Sequence, residues 1–143
     1  MQARDIMTWG IEKINADSTA REAAQKMETL NIGCLPVEQG NKIIGILTDR
    51  DLVTRLLAQS GDPGSTKVKE LMSKKVICCD ENDSAEQLAQ MMEENKVRRL
   101  IVCDHRQNPV GIVSLGDMVC RTHEDELAGE ILEAVSAPGG PTR

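Results

Sequence analysis

Apolar residues recur at helical spacing twice along this chain, as Ala20, Ala23, Ala24, Met27 and Leu30, and again as Ala85, Leu88, Ala89 and Met92. Each stripe opens on a capping box, Thr19-x-x-Glu22 and Ser84-x-x-Gln87, which sets a hydroxyl at the N-cap and a carboxyl or amide at the third helical position. Both stripes predict a helix with one face in a core. Two short β-type runs follow each helix, Cys34–Glu38 with Ile43–Leu47, and Arg99–Cys103 with Val110–Val113. Gln39-Gly40-Asn41-Lys42 and the stretch from Asp104 to Pro109 carry turn chemistry between them. A second helix is expected to start near Arg50 and near Gly116. A short strand around Glu12–Asn15, and again around Val76–Cys79, precedes the first helix. Each half reads β-α-β-β-α.

The halves are also copies at the level of residues. Ile6-Met7-Thr8 meets Leu71-Met72-Ser73, and Cys34-Leu35-Pro36-Val37 meets Arg99-Leu100-Ile101-Val102, at a common offset of 65. After one inserted residue the offset is 66, and Gly45-Ile46-Leu47-Thr48-Asp49-Arg50-Asp51 meets Gly111-Ile112-Val113-Ser114-Leu115-Gly116-Asp117. Two copies of about 60 residues are too few and too long for a solenoid. They suit half-domains that bury their faces on each other, with paired clefts between them. The expected organisation is a first repeat at 1–59, a linker at 60–66, a second repeat at 67–122, and an acidic helix (124–135) with a disordered tail in 123–143.

Composition narrows the function. The chain has 143 residues, one Trp and no Phe or Tyr, so aliphatic side chains and Met must fill the core. Stacking platforms for single-stranded nucleic acid use aromatic residues, and only Trp9 is on offer. Net charge is −6, of which residues 123–143 carry −4, leaving −2 for the repeats. That balance excludes a broad basic face for duplex nucleic acid, while a small anion in a local basic pocket fits it. The five cysteines, Cys34, Cys78, Cys79, Cys103 and Cys120, form no Cys-x-x-Cys. They read as buried thiols of a reduced, cytoplasmic chain rather than a metal site. No signal peptide or membrane-spanning run is visible. His105 and His123 have no nucleophile at a usable spacing and read as surface residues. With no phosphate loop, dinucleotide fingerprint or metalloprotease motif, the chain is not expected to be an enzyme.

The strand-to-helix junctions carry the candidate chemistry. Thr48-x-x-Asp51 and Ser114-x-x-Asp117 stand where a strand ends and a helix begins. Unpaired backbone N–H groups and the positive end of the helix dipole make such a point receptive to phosphate. A hydroxyl adds a hydrogen bond, and an acid three residues on can accept both hydroxyls of a ribose. The same spacing is also a plain capping box, and one helix end can serve both roles.

The order Asp-Ile-Met-Thr, helix, Leu-Pro-Val, Gly-Ile-Leu-Thr-Asp-Arg-Asp-Leu, repeated as Glu-Leu-Met-Ser, helix, Val-Arg-Arg-Leu-Ile-Val, Gly-Ile-Val-Ser-Leu-Gly-Asp-Met, resembles a tandem pair of cystathionine β-synthase (CBS) domains over residues 3–122. The resemblance implies an α+β fold of α/β-type repeats, two β-α-β-β-α units packed with pseudo-twofold symmetry into one disc-like module. It also implies clefts between the repeats for adenosine-containing ligands: AMP, ADP, ATP, NAD(H) or S-adenosylmethionine. By the same resemblance the main cleft uses Ser114 near the phosphate, Asp117 on the ribose and Arg99 on the phosphate. Thr8 and Ile11 near the adenine, with Ile32 and Gly33, form its opposing wall. The second cleft uses Thr48 and Asp51 with Ser73, Val76, Val97 and Arg98. Cys34 stands where the other copy has Arg99, and Gly33 where it has Arg98. The second cleft thus lacks the cation, for which Arg50 can substitute, so the Asp117 cleft is expected to be the occupied one. Arg98 and Arg99 also fit a solvated strand edge.

The implied function is a sensor of adenine nucleotides that shifts a conformational equilibrium and passes the change to an unknown downstream protein or through a homodimer. The helix with Leu52, Val53, Leu56 and Leu57 is apolar enough to be covered in such a dimer. Two rivals stay open: an interaction module that no longer binds nucleotide, and a thiol- or metal-responsive protein using some of the cysteines.

Overall fold

The computed structural model describes residues 1–122, together with Gly129 and Glu133. The expected acidic helix and tail lie outside the described residues, except for those last two, which are helical. The chain forms two compact units. One joins Met1–Ile11 to the described residues from Ile77 onward; the other is Glu12–Val76. Each unit therefore holds one copy's helices and strands together with the segment that leads into the other copy.

In the unit of residues 12–76, β2 (Ile14–Asn15) lies parallel to β3 (Cys34–Gln39), and β3 pairs antiparallel with β4 (Lys42–Thr48). Between β2 and β3 runs α2 (Ala20–Leu30). Its predicted capping box is formed: Thr19 Oγ1 accepts from Glu22 N at 3.2 Å, and Thr19 N donates back to Glu22 Oε1. Ala20, Ala23 and Met27 face a core made with Leu35, Val37, Leu47, Leu56, Val68 and Leu71. After β4 comes α3 (Asp49–Asp51), continued as a π-helical turn over Leu52–Leu57. There Ala58 N donates to Val53 O, five residues back. Thr54 Oγ1 donates to Arg50 O at 2.9 Å, a side-chain contact that competes with the regular helical ladder.

The other unit repeats this plan with α1 (Ala3–Ile6), β1 (Thr8–Trp9), β5 (Cys78–Asp80), α4 (Ala85–Asn95), β6 (Arg99–Cys103), β7 (Pro109–Ser114) and α5 (Leu115–Thr122). The sheet order is β1-β7-β6-β5, with only β5 and β6 parallel. Ser84 and Gln87 cap α4 as predicted. The core contains Leu88, Met92, Leu100, Val102, Val113 and Met118. No aromatic ring enters either core; Trp9 is 60 % exposed, with Nε1 donating to Arg4 O. Aliphatic burial at about 1.5–3 kcal/mol per large side chain carries the folding energy instead.

Strand boundaries differ from the sequence expectation by one to two residues, and β1 was not anticipated. That strand is only two residues long, so its extended character comes from its partner. Thr8 pairs with Ile112, and the equivalent Ser73 bridges Ile46. Both contacts need a glycine beside them. A Cβ on Gly45 would stand 2.8 Å from Ser73 O, and one on Gly111 would stand 2.5 Å from Thr8 O. Glycine is therefore a packing requirement at both positions.

Candidate functional site

The Ser114–Asp117 junction is built by register. Arg99, first in β6, pairs with Ser114, last in β7. Leu115 N donates to Arg98 O at 2.8 Å, which fixes the start of α5 against the strand beside it. Ser114 N donates to Asp117 Oδ2 at 2.9 Å, and Asp117 N donates to Ser114 Oγ at 3.1 Å. The cap is reciprocal, yet it engages only one carboxylate oxygen. Among the described residues nothing bonds to Asp117 Oδ1, and neither Arg98 nor Arg99 has a hydrogen bond or ion pair. Ser114, Asp117 and Arg99 are half-buried, and Arg98 is exposed. Thr8 reaches this end through its pairing with Ile112, two residues before Ser114. Ile11 follows β1 in the same unit and is half-buried.

The Thr48–Asp51 junction has the same register, with Cys34 opposite Thr48 and Asp49 N donating to Gly33 O at 2.9 Å. The cap is again reciprocal, at 2.9 and 3.2 Å. Its surroundings differ. Thr48 and Asp51 are each 2 % exposed. Asp51 Oδ2 holds Thr48 N, while Oδ1 faces Arg55 Nε at 3.7 Å. Asp49 replaces Leu115 of the other copy and sets a second carboxylate at the helix start, and a Cβ on Gly33 would stand 2.8 Å from its Oδ2. Arg50 is exposed. Carboxylates at this helix end occupy the positive dipole that an anion would use.

Of the other sequence-derived site residues, Ser73 bridges Ile46 and Val76 is half-buried, both in the unit of Asp51. Ile32 packs on that unit's core and Gly33 joins it, so both belong to a different compact unit from Asp117. Val97 and Arg98 likewise belong to a different unit from Asp51, and Val97 is a 5 % exposed core residue.

Sequence reasoning passed over Arg55 and Arg121. Arg55 donates to Leu71 O and Met72 O, both at 3.1 Å. Arg121 donates to Ile6 O and Met7 O at 3.0 and 3.2 Å. Each arginine fastens the leading segment of its unit to the helix behind the junction. Their common offset of 66 was the available signal. Asp49 was also missed, because its counterpart Leu115 is apolar and the repeat comparison hides it.

This twice-built strand–helix plan coincides with a family match. The CBS domain matches residues 3–58 and again residues 68–123. The chain belongs to the CBS domain family. CBS pairs are regulatory modules, and this chain carries one pair. It is 38 % identical over 133 residues to the CBS domain-containing protein YhcV of Bacillus subtilis, covering 93 % of this chain and 94 % of that one. Among solved structures, Hypoxic Response Protein I with two coordinated zinc ions is 36 % identical, with a TM-score of 0.70 over 83 % of this chain and 97 % of that chain. The CBS domain pair of protein MJ0100, in complex with 5′-methylthioadenosine and S-adenosyl-L-methionine, is 26 % identical, with a TM-score of 0.71 over 83 % of this chain and 93 % of that chain. Among the described residues, no group of three His, Cys, Asp or Glu side chains is arranged to hold a metal, and no helix is long and apolar enough to cross a membrane.

Proposed function

We propose that this CBS pair senses an adenosine-containing ligand seated at the Ser114–Asp117 junction. The observation that carries the reading is the state of that junction: among the described residues, Asp117 Oδ1 is unengaged and the guanidinium groups of Arg98 and Arg99 at the neighbouring strand end have no partner. The free oxygen accepts the hydroxyls of a ribose. Arg99 supplies a charge-assisted hydrogen bond to a phosphate, about twice as strong as a neutral one. This favours AMP, ADP, ATP or NAD(H) over an uncharged adenosine derivative. A relative of the same fold whose structure holds 5′-methylthioadenosine and S-adenosylmethionine supports the adenosine part of the assignment. Thr8 and Ile11 border the base. The Thr48–Asp51 junction remains the weaker second site.

The ligand acts by population shift, to the extent that it binds one arrangement of the module better than another. Output passes to a partner protein or through a homodimer. Val53 and Leu57, 54 % and 73 % exposed on the π-helical turn, offer the apolar surface for self-association. Catalysis has no part in this reading.

The test is thermal unfolding of nucleotide-stripped protein with each of AMP, ADP, ATP, NAD(H), 5′-methylthioadenosine and S-adenosylmethionine. Ligand at a hundredfold excess over Kd adds about 2.7 kcal/mol, a rise of roughly 5–10 °C at this chain length. The rise is expected with a phosphate-bearing ligand and is expected to vanish in Asp117→Ala. No rise with any of the six at millimolar concentration would reject the sensor reading and leave an interaction module.

A further inference from the structure

Arg121 links the helix that carries the Asp117 carboxylate to the segment that carries Thr8. It follows Asp117 by four residues on α5, about one helical turn. Its Nη1 donates to Ile6 O at 3.0 Å and to Met7 O at 3.2 Å. Ile6 ends α1 and Met7 is its C-cap, so both carbonyls belong to a helix end that has run out of intrahelical donors. Both residues are buried, and a buried carbonyl left without a donor is costly. Thr8 comes next, on a strand only two residues long. Ahead of Ile6 the segment is tied by Ala3 N to Asp83 O and by Arg4 N to Glu81 O; beyond Thr8 it is tied by Gly10 N to Val110 O. Arg121 holds the middle of the segment, directly before Thr8.

The first copy shows a second position for the equivalent side chain. Arg55 Nη1 donates to Leu71 O and Met72 O in the same way, but Arg55 Nε also lies 3.7 Å from Asp51 Oδ1. Arg121 forms no ion pair with Asp117 among the described residues. The chain is π-wound at Arg55 and α-wound at Arg121, which turns the two arginines differently with respect to the acid four residues earlier.

We propose that Arg121 is a positioning residue of the nucleotide site. Tied to Ile6 O and Met7 O, it sets Thr8 at the base side of the ligand and keeps its own charge off Asp117 Oδ1, which stays open to the ribose. The inference rests on the adenosine-sensor reading above. It gives the loss of Arg121 a sign. Affinity falls, because Thr8 is released; a side chain that competed for Asp117, as Arg55 does for Asp51, would raise affinity when removed. The fall is the same for ligands with and without phosphate, since Thr8 lies on the base side.

The experiment compares nucleotide-stripped full chain with Arg121→Met and Arg121→Lys, each shown to be folded by its urea transition. Arg121→Met keeps the aliphatic stem and removes the donors. Arg121→Lys returns a cation, and because one nitrogen makes both contacts, a single ammonium can replace it. Trp9, the one tryptophan, follows Thr8 with Nε1 bonded to Arg4 O, so its fluorescence anisotropy reports the segment without ligand. Affinity for AMP and for 5′-methylthioadenosine is then measured by calorimetry. Arg121→Met is expected to lower the Trp9 anisotropy and to weaken both ligands about tenfold; Arg121→Lys is expected to restore both. Thr8→Val is expected to weaken binding in the wild type but to cost nothing further beside Arg121→Met. Should Arg121→Met fail to fold, Arg121→Gln, which keeps an amide donor, takes its place with the same sign expected. Unchanged or raised affinity in the folded variant, a loss that Arg121→Lys leaves unrestored, or additive losses with Thr8→Val overturn the proposal. Binding of neither ligand by the wild type rejects the sensor reading and this proposal together, a result distinct from wild-type binding that Arg121→Met retains.

Discussion

Asp51 and Asp117 close the same reciprocal cap on helices leaving strands of matching register, yet one carboxylate is engaged through both oxygens and the other through one. The backbone at the two junctions is equivalent: Cys34 pairs with Thr48 as Arg99 pairs with Ser114, and Gly33 O accepts from Asp49 N as Arg98 O accepts from Leu115 N. What separates them is a handful of side chains. Asp49 adds a second carboxylate at the Asp51 end, Thr48 is buried there, and Arg55 lies 3.7 Å from Asp51, whereas its counterpart Arg121 bonds Ile6 O and Met7 O without an ion pair to Asp117 among the described residues. At the Asp117 end the corresponding helix position is Leu115, and the strand offers Arg98 and Arg99. A duplicated frame thus gives one junction that stabilises its own helix start and one whose polar groups remain available.

The shared frame rests on Gly45 and Gly111, and substitution there tests it most severely. Gly111→Val forces a branched side chain into the space of Thr8 O and Met7, and Gly45→Val does the same against Ser73 O and Met72. Overpacking against backbone costs about 3 kcal/mol or more. Each variant should lower the urea midpoint sharply and to a similar extent. A near-neutral result at one position only would mean that the leading segments are not held alike in the two units.

The cores differ in one titratable group. Cys79 occupies the position of Ile14, and burial, followed by the charge of Asp83, raises its thiol to about 12 from an ordinary 9.0. The folded state holds this proton longer than the unfolded state. Its contribution is therefore complete below pH 9 and is lost as pH rises toward 12, with the unfolded chain releasing the proton first. By pH 11 the loss is about 2–3 kcal/mol. Urea midpoints measured from pH 8 to pH 11 should fall steadily, and Cys79→Ala should flatten that slope while lowering stability at pH 8. An unchanged slope would place the alkaline weakness elsewhere.

Much of this frame was legible in the sequence because it is written in periodicity and capping. Thr19-x-x-Glu22 and Ser84-x-x-Gln87 named both helix starts, and the apolar runs gave β3, β4, β6 and β7 to within a residue or two. Those signals are local, and local hydrogen bonds honour them. The strand at Thr8–Trp9 was not legible, since two residues carry no period and their pairing depends on a segment about a hundred residues later. The π-helical turn was also invisible: Leu52, Val53, Leu56 and Leu57 read as an ordinary amphipathic helix, and the side-chain bond from Thr54 to Arg50 has no sequence signature of its own. At the junctions, the Ser/Thr-x-x-Asp spacing located the acids but could not tell a fully engaged carboxylate from a half-free one. That distinction lies in where two equivalent guanidinium groups sit: Arg55 comes within 3.7 Å of Asp51, while Arg121, making the same pair of carbonyl bonds, forms no ion pair with Asp117 among the described residues.

Removing the acids should separate the two junctions by stability alone. Asp51→Ala strips a buried cap from Thr48 N and leaves Arg55 without its ion pair, a loss of about 2 kcal/mol once the exposure of Arg55 is allowed for. Asp117→Ala removes one half of a half-buried cap, about 0.5–1 kcal/mol. Chemical denaturation of both variants without ligand measures the difference. Equal losses would show that the Asp117 carboxylate is held by the fold no less firmly than that of Asp51, which would undercut its availability to a ribose.

The finest test exchanges the side chains that face each other in register. Arg99→Cys gives the Asp117 end the residue that Cys34 supplies at the other. Losing one charge-assisted contact to phosphate costs about 1.4 kcal/mol, so affinity for a phosphate-bearing adenosine ligand should fall about tenfold by calorimetry. Binding of 5′-methylthioadenosine, which carries no phosphate, should be nearly unaffected. That split separates the phosphate role of Arg99 from a general role in shaping the strand end, because a structural defect would weaken both ligands. The converse exchange, Cys34→Arg with Asp49→Leu, adds a cation and removes a carboxylate at the Asp51 end. It should raise anion affinity there only modestly, since Thr48 and Asp51 stay buried and Asp51 stays paired with Arg55. A strong new site would mean that charge alone distinguishes the junctions; a weak one means that the engaged carboxylate does.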